Sequence, residues 1–150
     1  MKWTVGIITM LFCVIFLSGC SNNSDKTDYY GGIKKTDFPD LDIVQEFRGH
    51  GDYWGVVMFV YKDSSTKLGF TSFAIYNGEG EKPTSIALDY EIGKNVGGWS
   101  STYSDGPPED GIYHLVGGNI ELPKDGSDPT LKFNVKSNIH SEFIELKAVD

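Results

Sequence analysis

Beyond position 20 the chain has no cysteine; Cys13 and Cys20 are the two it contains. A domain downstream of Cys20 therefore has no disulfide and no cysteine-built metal site, and it depends on its core for stability. Basic residues are also few: 13 Lys and Arg stand against 21 Asp and Glu, a formal net charge of -8 at pH 7. That balance argues against nucleic acid as a partner and against direct adsorption to anionic lipid or wall polymers. The three histidines, His50, His114 and His140, are far apart and form no HExxH-type pair. No serine sits in a GxSxG elbow, and Ser100-Ser101 lacks that context. No helical period runs through the residues after the first 20, and no proline falls inside a stretch that reads as a strand.

What is present begins with a leader. Lys2 supplies a positive start and Val5–Leu17 an apolar run. The run is shorter than the roughly 20 apolar residues of a spanning helix, so it reads as a secretory signal. It ends in Leu17-Ser18-Gly19-Cys20, which resembles the lipobox of bacterial lipoproteins. The resemblance implies that the Cys20 thiol receives a diacylglyceryl group, that cleavage follows Gly19, and that Cys20 becomes the mature N-terminus. The chemistry calls for sulfur, because a thiolate is nucleophilic enough to take the lipid as a thioether. Two or more acyl chains, palmitate for example, hold a protein stably on a bilayer where one does so marginally. The covalent lipid on Cys20 is the one expected attachment; no cofactor and no metal are expected. Residues 1–19 are thus expected to be a signal peptide, 20–40 a lipidated N-terminus with a flexible tether, and 41–150 a β-domain. Losing Lys2 with the leader makes the mature chain more acidic still.

The mature chain of about 130 residues suits one domain. Aromatics at 13% and 18 glycines fit a β-rich fold with tight turns. Ser21 to about Asp37 is polar and reads as the tether. Strand patterning starts near Ile43–Arg48. In Tyr53–Lys62, Trp54, Val56, Met58 and Val60 share one face and Val57, Phe59 and Tyr61 the other, the mark of a central strand covered on both sides. Leu68–Tyr76 is a further strand. Ser85–Ile92 alternates cleanly, with Ile86, Leu88, Tyr90 and Ile92 pointing inward. Val96–Tyr103 is a weaker strand. Ile112–Val116 and Ile120–Leu122 flank Gly117-Gly118-Asn119, as a hairpin or as one strand with a bulge. Leu131, Phe133 and Val135 alternate with polar residues, and a last strand falls near His140–Val149 with Ile144 and Leu146 inward and Phe143 on the outer parity under a loop. Seven to nine short strands predict an antiparallel β-sandwich, with a small closed β-barrel as the alternative, since both alternate in the same way.

Three stretches, Phe47–Trp54, Tyr76-Asn77-Gly78 with Pro83–Ile86, and Ser141–Lys147, are similar to a group of small exported lipoproteins of Gram-positive bacteria. That resemblance implies an immunoglobulin-like β-sandwich and carries over no catalytic residue.

Candidate sites are sparse. Trp99 and Tyr103 are the expected ligand-contacting aromatics, Trp99 because it stands between glycines and serines; Trp54 reads as core. Asp105, Glu109 and Asp110 share a loop and read as solvated charges, as does Asp125–Asp128, which lacks the calcium-loop pattern. The function expected from these features is a non-enzymatic lipoprotein at the extracytoplasmic face of the cell membrane, meeting a protein partner in the envelope. The alternatives are a lipocalin-like barrel with a pocket lined by Phe70, Phe73 or Tyr90, and an envelope hydrolase using Asp105 or Asp110.

Overall fold

The computed structural model describes residues 28–64, 66–123, 127, 129 and 131–150. The leader, the Leu17–Cys20 motif, Ser21–Thr27 and both aspartates of Asp125–Asp128 lie outside the described residues. Eight strands follow one another: β1 (Ile43–His50), β2 (Trp54–Lys62), β3 (Leu68–Tyr76), β4 (Ser85–Ile92), β5 (Asn95–Thr102), β6 (Ile112–Ile120), β7 (Leu131–Ser137) and β8 (Ser141–Val149). Every pairing is antiparallel, in the order β5-β4-β7-β8-β1-β2-β3-β6. The fold is all-β, as the alternation predicted.

The strand β8 turns one sheet into a nearly closed shell. Its first part, Ser141–Leu146, pairs with β7, and its last part, Lys147–Val149, pairs with β1. The two edges, β5 and β6, approach one another without pairing. The molecule therefore lies between the expected sandwich and the barrel alternative. Its order departs from the immunoglobulin arrangement, in which the third strand crosses to the second sheet. Here β3 stays beside β2 through a continuous register from Trp54↔Tyr76 to Lys62↔Leu68, and β4 makes the crossing.

Inside the shell, alternate residues of all the strands but β5 meet in one core that includes Trp54, Met58, Phe70, Leu88, Tyr113 and Phe133, with Trp99 of β5 packed against it. The Gly117-Gly118-Asn119 interruption is resolved as one continuous strand, β6, with a register shift against Thr71/Phe73 of β3. The expectation of a bulge holds over that of a hairpin.

The main correction concerns the segment before β1. Residues 28–40 belong to the stretch whose polarity predicts a flexible tether, yet they run along the outer face of β2 and β3. Ile33 is buried there with Val57, Phe59 and Ile75, and Tyr30, Phe38 and Phe73 pack around them. A short 3-10 helix, Lys35–Asp37, brings Phe38 within 5.3 Å of the Phe59 ring and 5.4 Å of the Phe73 ring. This strap is the cover that the two apolar faces of β2 demanded. Each large apolar side chain so buried contributes about 1.5–3 kcal/mol. The opposite correction is Phe143: among the described residues no loop lies over it, and it is 84% exposed.

Candidate functional site

Antiparallel alternation gathers four connections at one end of the shell: 51–53, 77–84, 103–111 and 138–140. The tightest is the β1–β2 turn. Gly51 N–H donates to the Trp54 carbonyl (2.9 Å), which leaves the N–H groups of Asp52, Tyr53 and Trp54 pointing outward together. The Glu142 carboxylate, at the start of β8, accepts from all three: from Asp52 at 2.8 Å, from Tyr53 at 3.1 Å to each oxygen, and from Trp54 at 3.0 Å. Converging backbone donors on a carboxylate make a charge-assisted cradle. It explains Gly51, where a Cβ would lie 2.5 Å from Glu142 Oε2.

From this turn a file of rings runs inward. Tyr53 stacks on His140 with centroids 3.6 Å apart and planes within 4°. His140 faces Tyr76 at 6.1 Å, Tyr76 packs on Trp54 at 5.1 Å, Trp54 on Tyr113 at 5.4 Å, and Tyr113 on Tyr103 at 5.5 Å. The Tyr113 hydroxyl donates to the Pro83 carbonyl at 2.7 Å. Burial first, then the neighbouring Tyr103, Tyr76 and Asp110, pushes its pKa up to about 12. Tyr76 is raised as well, by burial and then by Tyr53. Trp54 Nε1 and Tyr76 Oη are buried without a hydrogen-bond partner.

The strap begins at the same end. Tyr29 stacks on His50 at 3.9 Å, and Tyr30 meets that ring edge-on at 6.2 Å. The Arg48 guanidinium lies 4.9 Å from the centre of the Tyr30 ring, donates to the Ile33 carbonyl at 2.7 Å and pairs with Glu46. Burial raises the Tyr30 pKa, which Arg48 lowers in part and Asp28 raises. Asn77 binds turn and strap together: its N–H donates to the Tyr53 carbonyl at 2.7 Å and its Nδ2 to the Tyr29 carbonyl at 3.1 Å. Gly55 is required beneath, because a Cβ there would fall 1.8 Å from the Tyr29 carbonyl oxygen.

Thus Phe47–Trp54, Tyr76–Gly78 and Ser141–Glu142 are parts of one structure. Their convergence has no local sequence signal: Asp52 and Glu142 are 90 positions apart, and the strand order alone makes them neighbours.

The residues singled out by sequence fall differently. Trp99 lies on β5 opposite Leu88, and it and Tyr103 are half-buried, each with one side packed against the core. Their size suited them to fill the shell beside the unpaired β5 edge. His50, His114 and His140 have separate partners, since His114 bonds Thr71 at 3.0 Å and stacks on Phe73. Among the described residues no three His, Cys, Asp or Glu side chains cluster as metal ligands. Asp110 accepts from the Ile112 N–H at 2.9 Å, and Lys82 donates to the Glu109 carbonyl at 2.7 Å, which fixes the 103–111 connection. Phe70 packs inside with Tyr90 while Phe73 is outside with Phe38 and Phe59, so these three line no common pocket. Two shallow clefts flank β1 and β8 away from the loop end, around Ile43–Glu46 and around Glu145–Ala148.

The fold and site define an all-β shell with a rigid loop end, its turn locked by a carboxylate and its interior filled with side chains. No protein-family model matches the chain, and no curated protein or solved structure matches it at a significant level.

Proposed function

We propose that the protein is a lipid-anchored lipoprotein on the extracytoplasmic face of the cell membrane, and that it acts as a non-enzymatic binding module for an envelope protein. The anchor reading rests on Leu17-Ser18-Gly19-Cys20 behind a short apolar leader. The binding reading rests on one observation: at the loop end the Glu142 and Asn77 side chains are spent on positioning the backbone of the 51–53 turn and of the strap. A surface ordered in advance loses less entropy when a partner docks. Lipid attachment confines the domain beside the membrane and raises its effective concentration for neighbours there. A photo-crosslinking residue in place of Tyr53, which is 39% exposed at the loop end, tests the reading in cells. A discrete crosslinked protein that disappears with Glu142→Ala is expected. Crosslinks no different from those of a residue on the outer face of β4 would overturn it.

A further inference from the structure

We propose that the loop end is the pole of the domain that faces the anchoring leaflet, so that phospholipid headgroups are the surface lying opposite connections 51–53, 77–84, 103–111 and 138–140. This rests on the anchor reading above and adds an orientation to it.

The argument is geometric. The described chain starts at Asp28, and Tyr29 is fixed at the loop end by its stack on His50 and its hydrogen bond from Asn77. Eight residue steps separate Cys20 from Asp28. Whatever conformation they take, they reach no further than about 29 Å, at roughly 3.6 Å per residue. The sheet itself is long on that scale. β2 and β3 have nine residues each, eight steps like the leash, which run about 27 Å from end to end and so take up nearly its whole reach. Bringing the far pole, with the Gly93-Lys94 turn and the C-terminal residues, to the leaflet would require those eight residues to lie fully extended down the side of the sheet. The loop end needs no such extension.

The charge of this pole says how it meets the leaflet. Asp52, Glu79, Glu81, Asp105, Glu109 and Asp110 are all exposed on these connections, against Lys82 as the lone basic residue. Such a surface does not insert among anionic headgroups; the covalent leash holds it near them. A partner reaching the loop end is therefore one resident in the membrane, whereas the far pole is open to partners in the surrounding medium.

The test uses the full lipidated protein in vesicles that carry a nitroxide quencher on the headgroup. Because no cysteine follows Cys20, Glu81→Cys and Lys94→Cys each offer one thiol for a fluorophore, at the loop end and the far pole. Fluorescence at position 81 is expected to be quenched severalfold more than at position 94. A flexible Gly/Ser insert of about 20 residues after Thr27, which lengthens the leash beyond the sheet, is expected to erase the difference. Equal quenching without the insert, in protein that floats with vesicles, overturns the orientation and leaves the anchor standing. A difference that survives the insert keeps the orientation and overturns the short leash as its cause. Protein that fails to float overturns the anchor and the orientation with it.

Discussion

Replacing Glu142 by alanine removes the acceptor for three backbone N–H groups at once. Hydrogen bonds to a charged group contribute about 1.5–3 kcal/mol each, but an exposed donor recovers most of that from water. Asp52 and Tyr53 are exposed, whereas Trp54 is fully buried, so its N–H carries most of the loss. The sum is about 2–3 kcal/mol for Glu142→Ala. Glu142→Gln keeps one acceptor oxygen without its charge and should lose about 1 kcal/mol. For a domain of this size each kcal/mol moves Tm by about 3–6 °C. Thermal unfolding followed by near-ultraviolet circular dichroism is suited to the measurement, because Tyr53, His140, Tyr76 and Trp54 are stacked directly on the affected turn. Glu142→Ala should also speed amide exchange at Asp52, Tyr53 and Trp54. A Tm for Glu142→Ala within about 2 °C of the parent, with those amides still protected, would refute the idea that this carboxylate holds the turn.

Other substitutions separate the remaining parts of the account. Gly55→Ala places a methyl against the Tyr29 carbonyl oxygen; the overpacking should cost about 1–3 kcal/mol and expose residues 28–33 to limited proteolysis before the sheet unfolds. Ile33→Ala uncovers Val57 and Phe59 and should destabilise by about 2 kcal/mol in urea unfolding. Phe143→Ser, at an exposed position, should change stability by under about 0.5 kcal/mol, so any larger shift in urea midpoint would contradict its free placement. At high pH the raised pKa of Tyr113 gives a definite sign. Its folded value lies above the unfolded value of 10.0, so its contribution is complete below pH 10 and fades as pH rises toward 12. Tyr113→Phe should flatten that alkaline loss without abolishing it, because Tyr76 and Tyr30 are raised too.

The strands were readable because burial imposes a period of two, and β3 and β4 begin and end where the pattern does. The apolar residues on both faces of β2 announced a cover, but the cover itself was hidden. Ile33 and Phe38 sit singly among polar residues, and a strap that buries one residue in several has no period to detect. The inward role of Trp99 was obscured by its small neighbours: Gly97 and Gly98 suggest exposure, yet parity opposite Leu88 decides the side. Phe143 shows the reverse, an apolar residue whose outer parity was legible but which no described residue shields. The loop-end construction was the least legible. Glu142 looks like any exposed strand carboxylate until β8 and β1 become neighbours and bring it to the turn of β1 and β2.

The measurement that bears most directly on the whole account is the mass of the N-terminal peptide of the mature protein isolated from membranes. The account predicts a chain that begins at Cys20 and carries a diacylglyceryl thioether on its sulfur. A chain that begins elsewhere, or a Cys20 thiol bearing no acyl mass, would contradict it.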